Sequence, residues 1–223
     1  MHLYLIRHAE SENNAKAEQQ RVEDPAITSR GERQALALAN WLTTLRPNVV
    51  ISSPFRRALQ TAAPAVERLA CSLEIWGDVF ERGGCYRGWH AENYQGADGL
   101  GHAGIFQLTP TAILDPTLHP AGWWQCRPRE RDEQTNQRAV AVKRRLEERF
   151  ADREMRMVVI THAEFQRILL GQLLADFDID VGRLGPICNA GVTHLEWRKA
   201  TWQLRWFNAV THLPTSLITD AKG

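Results

Sequence analysis

The sequence predicts an α/β sandwich of three layers, with a mostly parallel central sheet flanked by helices. Two observations carry this. Short apolar runs alternate with stretches of helical periodicity, and no repeat, low-complexity tract or Pro/Ser-rich linker divides the chain. The whole of 1–223 therefore reads as a single domain, a length that can bury a large core.

Leu3-Tyr4-Leu5-Ile6 is a short buried strand. Gly31 to Leu45 places Ala35, Leu38, Ala39 and Leu42 at three- and four-residue steps, the face of a helix. Val49-Val50-Ile51 is the next strand, and Pro54 to Leu69 the next helix. The rhythm then breaks. From Gly83 to about Arg131 glycine, proline and tryptophan recur without a clear period, too long a stretch for a plain connection. It reads as an insertion at about 83–131 that caps a pocket and sets specificity. Asp132 to Phe150 resumes as a charged amphipathic helix with Val142, Leu146 and Phe150 on one side. Met157 to Ile160 is strand-like and Glu164 to Leu174 helical. Val192 to Trp197 and Trp202 to Phe207 form two strands around a tight turn at Lys199-Ala200.

Composition narrows the function. The chain is 43% hydrophobic and 24% charged, ordinary globular usage, which excludes wholesale disorder. A net charge of +1, with no basic block longer than Lys143-Arg144-Arg145, argues against nucleic-acid binding. Apolar stretches fall short of the ~20 residues of a membrane span, and Arg7 follows Met1–Ile6 too soon for a secretory signal. Cys71, Cys85, Cys126 and Cys188 are scattered and form no Cys-x-x-Cys pair. A cytoplasmic protein is expected, with no membrane partner and with homo-oligomers permitted.

Chemistry concentrates at strand ends. Leu5-Ile6-Arg7-His8, Ile51-Ser52-Ser53-Pro54-Phe55-Arg56-Arg57 and Val159-Ile160-Thr161-His162 each carry basic residues between a strand and a helix. In such sheets ligands bind outside the carboxyl ends of the strands, so Arg7, His8, Arg57 and His162 can meet at one edge. The following helix N-termini would add N–H groups and positive dipole ends. That set suits a dianion, phosphate above all. A neutral imidazole is a competent nucleophile near pH 7, and fixed cations can do electrostatically what metals do elsewhere. Glu81 follows the apolar pair Val79-Phe80, a place where a carboxyl could keep its proton for a leaving group.

Leu5-Ile6-Arg7-His8-Ala9-Glu10-Ser11-Glu12-Asn13-Asn14 resembles the opening signature of the histidine phosphatase superfamily, which includes the cofactor-dependent phosphoglycerate mutases. Ile27 to Ala35 is similar to the family's "LTxxGxxQA" segment, and Ser52 to Ala62 to its "S…RAxQTA" helix start. Glu81-Arg82, Thr161-His162-Ala163 with Arg167, and Asn189-Ala190-Gly191-Val192 resemble later motifs, in the family's order. The resemblance implies a phosphoglycerate mutase-like fold with His8 as the phosphorylated nucleophile. It implies Arg7, Arg57 and His162 around the phosphoryl oxygens, Glu81 as proton donor, and Asn14 and Ala163 in the phosphate pocket. Arg82 would touch substrate, and neither metal nor cofactor is called for. Ala9 and Ala163 replace the glycine that usually follows each histidine, so close approach there must use ordinary φ.

Other features read blandly. Gly99 to Gly104 spells G-x-G-x-x-G, but no strand precedes it and no clear helix follows. Cys85, His90, His102, His119 and Cys126 lack the regular spacing of a zinc site. Trp89, Trp123 and Trp124 suit core packing of the insertion better than a substrate pocket, and His90, His102, Trp123 and Arg127 stay unassigned. The expected activity is metal-independent phosphomonoester hydrolysis of a small phosphorylated substrate. The alternatives are a phosphoglycerate mutase-type phosphotransferase, an isomerase disfavoured by a tail from His212 with Lys222 as its one cation, or a non-catalytic phosphoryl- or peptide-binding relative.

Overall fold

The computed structural model describes residues 1–69, 71–88, 90–150, 154–177 and 179–219. The chain opens with β1 (His2–Arg7) and a single turn, α1 (Glu12–Ala15), and continues with α2 (Ser29–Leu45), β2 (Val49–Ser52), α3 (Arg56–Val66) and β3 (Ser72–Ile75). Next come a two-strand hairpin, β4 (Tyr86–Arg87) and β5 (Gln95–Gly96), then α4 (His102–Leu108) and β6 (Ile113–Leu114). The chain closes with α5 (Asp132–Phe150), β7 (Arg156–Thr161), α6 (Ala163–Leu173), β8 (Val192–Arg198) and β9 (Thr201–Ala209).

The main sheet runs β6-β3-β2-β7-β1-β8-β9. β6, β3, β2, β7 and β1 are parallel, and β8 and β9 add an antiparallel edge. Tyr4 and Ile6 face one core with Val50, Val158, Leu38, Leu42 and Leu59. Leu3 and Leu5 face the other, with Ile51, Val159, Val142, Leu146, Phe165 and Leu169. Both faces of β1 are thus buried, which is why the strand reads as an unbroken apolar run. The β8–β9 turn is tight because Lys199 and Ala200 both take positive φ, 49° and 58°.

Helices and strands fall where the periodicity places them, α3 opening two residues after Pro54. Four strands, β3 to β6, escaped the reading, as did α4, which opens inside Gly99–Gly104 where no clear helix is expected and is preceded by β5. β3 is four residues long with Glu74 in its middle, a charge held by Arg149 and by the Trp76 indole at 3.0 Å. β6 is two residues long and pairs with β3, so the 83–131 segment is more than a cap: it supplies a sheet edge. It also supplies core, since Ile105, Leu118, Trp123 and Trp124 pack with α3. Gly84, at φ +81°, has no room for a side chain, because a Cβ would lie 2.3 Å from the Trp124 ring. Trp89, Lys222 and the Phe150 side chain lie outside what is described. Among the described residues no helix is long and apolar enough to cross a membrane.

α2 begins with Thr28 accepting the Gly31 N–H at 3.0 Å. A Cβ on Gly31 would sit 2.2 Å from the Glu10 carbonyl oxygen, two residues past His8. Helix propensity favours alanine there by ~1 kcal/mol, but a backbone clash cannot be relieved by turning a side chain. Gly31→Ala should therefore destabilise the protein by about 1–3 kcal/mol in urea unfolding; equal or greater stability would show that the contact yields freely.

Candidate active site

Three parallel neighbours, β2, β7 and β1, end at one edge of the sheet, and the chain leaving each one supplies the site. His8 follows β1. Its backbone is held on every side: its N–H donates to Thr161 O at 2.9 Å, and Asn189 Nδ2 donates to its carbonyl at 3.0 Å. The next N–H, of Ala9, donates to Thr61 Oγ1 at 3.0 Å. The ring follows from this. Nδ1–H donates to Ala9 O at 2.7 Å, which leaves Nε2 with a lone pair, and Arg57 Nε donates to it at 3.2 Å. Burial, then the guanidinium groups of Arg57 and Arg7, push the His8 pKa well below 6.5, so the imidazole is neutral.

Arg7 and Arg57 are both buried. Arg7 Nη1 donates to Ile187 O at 2.7 Å, while its Nε is buried without a partner. The Arg57 guanidinium lies over the Phe55 ring at 4.0 Å. A fixed cation about 4 Å from a unit anion attracts it by ~4 kcal/mol at an effective dielectric of ~20. Asn14 stands beside them. Its Oδ1 accepts from the Ser11 backbone and hydroxyl and from Asn189 Nδ2, which leaves its amide nitrogen to meet an anion.

His162 is the N-cap of α6 and fully buried. Its ring centroid is 5.1 Å from that of His8, and its Nε2 bonds Ser53 Oγ at 2.7 Å. Nδ1 is buried without a partner. Burial first, then Arg57, hold its pKa well below 6.5. Glu81 Oε1 accepts the N–H groups of Arg82 at 2.9 Å and Phe165 at 3.0 Å. Burial raises the Glu81 pKa, against the pull of Arg57 and those two N–H groups. Arg138 holds the chain that delivers it. It is sandwiched between the rings of Phe80 and Phe165, is paired with buried Glu130, and donates to the carbonyls of Asp78 and Phe80.

Arg7, His8, Asn14, Arg57, Glu81, Arg82 and Ala163 line one cleft of about 520 Å³; His162, beside His8, is fully buried and is not among the lining residues. Arg82 is tied at the rim to Asp132 at 2.6 Å and Glu164 at 3.6 Å. Ala9 and Ala163 are absent from the positive-φ positions, so alanine costs nothing there. The helix N-termini depart from expectation. Two of their N–H groups are taken by carboxylates, Arg56 N–H by Asp24 at 2.9 Å and Phe165 N–H by Glu81. Asp24 thereby caps α3 across 32 residues of sequence, a role Phe55 at the N-cap cannot fill. Asp24, Ser53, Thr61 and Arg138 escaped sequence reasoning, the Asp24-Pro25 turn being the one local hint.

The insertion's candidates are structural. His102 bonds Leu118 O at 2.8 Å, Trp123 packs against Phe55 and Phe80, and Arg127 stacks on Trp124 while bonding backbone carbonyls. His90 is exposed and outside the cleft lining. No group of three or more candidate metal ligands converges among the described residues.

Residues 3–210 match the model of the histidine phosphatase superfamily (branch 1). The chain belongs to this superfamily. Phosphoserine phosphatase 1 of Hydrogenobacter thermophilus is 41% identical over 73 residues, 33% of this chain and 34% of that protein. The probable phosphoglycerate mutase GpmB of an Enterobacter species is 33% identical over 73 residues, again 33% and 34%. These alignments span about a third of each relative. A mycobacterial glucosyl-3-phosphoglycerate phosphatase, solved in complex with VO3, shares the fold at a TM-score of 0.64, with 23% identity, 93% of this chain and 98% of that one covered.

In this histidine phosphatase relative, acid acts on folding through the same buried rings. His8 and His162, with His194 and His212 pushed down to about 4, take up protons near pH 6.5 when unfolded but at lower pH when folded. Their stabilising contribution is complete above pH 6.5 and lost as pH falls below it, by up to about 1.4 kcal/mol per pH unit for each of the fully buried rings, His8 and His162. His194 and His212, which solvent screens, contribute less. Asp24, raised to about 6 by burial, works oppositely, as do Glu81 and Asp78, whose carboxyls burial also pushes up, but the four rings outnumber these three groups. The unfolding midpoint in phosphate-free buffer should drop from pH 7 to 5; a flat profile would refute the neutral-imidazole assignment.

Proposed function

We propose that the protein is a phosphoric-monoester hydrolase working through a phosphohistidine on His8. The observation that carries this is the neutral His8 ring, with its Nε2 lone pair turned to Arg57 on the floor of an open cleft. The phosphoryl group enters between Arg7 and Arg57, and Arg57 Nε transfers its hydrogen bond from His8 to a phosphoryl oxygen. Asn14 and His162, whose Nδ1 is still unpartnered, take further oxygens. Nε2 then attacks phosphorus, the P–O ester bond breaks, and Glu81 passes its proton to the departing oxygen. The Ala9 carbonyl, accepting from Nδ1–H, steadies the positive charge that develops on the ring. Water next attacks phosphorus, the Glu81 carboxylate takes its proton, and the N–P bond breaks to free phosphate and His8.

In this mechanism the cations of Arg7 and Arg57 do the work of a metal, so chelators should leave turnover intact. The names of the phosphatase relatives support the reading. A mutase, the name of the Enterobacter relative, would need further cations for a substrate acid. Beyond Arg7 and Arg57, Arg82 is tied to Asp132 and Glu164, and Arg21 lies near Glu18 at 3.8 Å. The four cysteines are free, which fits a reducing, cytoplasmic setting.

His8→Ala should reduce hydrolysis of an aryl phosphate to background and abolish labelling of the protein by phosphate under non-acidic denaturation. Retained turnover or labelling would refute the nucleophile. Glu81→Gln should cost about 10²–10⁴-fold on an alkyl phosphate. It should cost far less on nitrophenyl phosphate, whose leaving group needs no proton. Equal losses on both esters would remove Glu81 from proton transfer.

A further inference from the structure

The turn that carries Glu81 also determines what lies on the leaving-group side. Gly84 N–H closes it by donating to Glu81 O at 3.0 Å. The Tyr86 ring packs directly on it, since a Cβ added at Gly83 would meet Tyr86 Cε1 at 2.9 Å. Tyr94, across the β4–β5 hairpin, meets Tyr86 edge to face with centroids 4.7 Å apart. The Arg129 guanidinium sits over both rings, at 5.4 and 5.0 Å, and braces the pair. Both tyrosines line the cleft. An alcohol that takes its proton from Glu81 therefore departs beside a fixed aromatic wall.

Most charges around that wall are paired, Arg129 excepted, whose Nε is buried without a partner. Arg82 meets Asp132 and Glu164, Glu23 meets Arg87, and Glu18 meets Arg21. Arg167, the remaining cleft cation, directs three hydrogen bonds to the carbonyls of Val181, Leu184 and Gly185.

We infer that the cleft is built for phosphomonoesters of ring-bearing alcohols, whose ring packs on Tyr86 and Tyr94, in preference to esters without a ring. This rests on the hydrolase reading above. A pyranose presents C–H groups and an aryl alcohol a π face, and either complements a tyrosine ring.

The test is kcat/KM for glucose 1-phosphate, phenyl phosphate, glycerol 1-phosphate and 3-phosphoglycerate, in the wild type and in Tyr86→Ala, Tyr94→Ala and Tyr86→Phe. At least one ring ester should exceed both glycerol 1-phosphate and 3-phosphoglycerate by about tenfold or more, the equivalent of ~1.4 kcal/mol. The two arms tell a sugar from an aryl preference. Each alanine variant should reduce the ring-to-glycerol ratio by about fivefold or more, and Tyr86→Phe should keep it. Vanadate inhibition reports whether the phosphate pocket still stands, and Tyr94→Ala carries the test if Tyr86→Ala fails to fold. Preference for 3-phosphoglycerate, or a ratio unmoved by both alanine variants, overturns the inference and leaves the hydrolase standing. No turnover of any ester overturns both.

Discussion

Two guanidinium groups buried beside two neutral imidazoles are the constraint on which this structure turns. Burying a cation is costly unless something answers its charge, and the surroundings of Arg7 and Arg57 answer it only in part. Arg7 keeps a buried Nε without a partner, and Arg57 points its Nε at a lone pair rather than at a carboxylate. Burial first, and then these charges, hold His8 and His162 unprotonated. Cation excess and nucleophile are thus one device: what attracts a dianion also helps keep the ring able to attack it.

That device demands rigidity, and the backbone provides it from distant parts of the chain. Thr161, Thr61 and Asn189 each hold the backbone around His8 through a different element. Glu81 sits on a loop, yet Arg138 grips the carbonyls before it, Thr161 Oγ1 bonds Val79 O at 2.7 Å, and the first turn of α6 grips its carboxylate. One N–H group at each of two helix N-termini positions a side chain, Asp24 at α3 and Glu81 at α6.

The segment after Glu81 does two things at once. Its inner residues, Trp123, Trp124 and Ile105, complete the core over α3, and β6 extends the sheet. Its hairpin turns two tyrosines toward the cleft. A segment tied into core and sheet can present a stiff wall, which a loose lid could not.

The amino-acid order alone determined the alternating strands and helices, the burial of β1 on both faces, and the gathering of Arg7, His8, Arg57 and His162 at one sheet edge. Apolar periodicity is local, and strand ends are where such sheets place ligands, so both leave a trace in short windows of residues. β3 and β6 left too little trace, since four residues interrupted by Glu74 and two residues on an edge carry no period. Nor could sequence disclose Asp24 capping α3, Arg138 gripping the approach to Glu81, or Ser53 bonding His162. Those partners are far apart along the chain, and a hydrogen bond has no periodicity to betray it; only the packing of helices on both faces of the sheet brings them within reach.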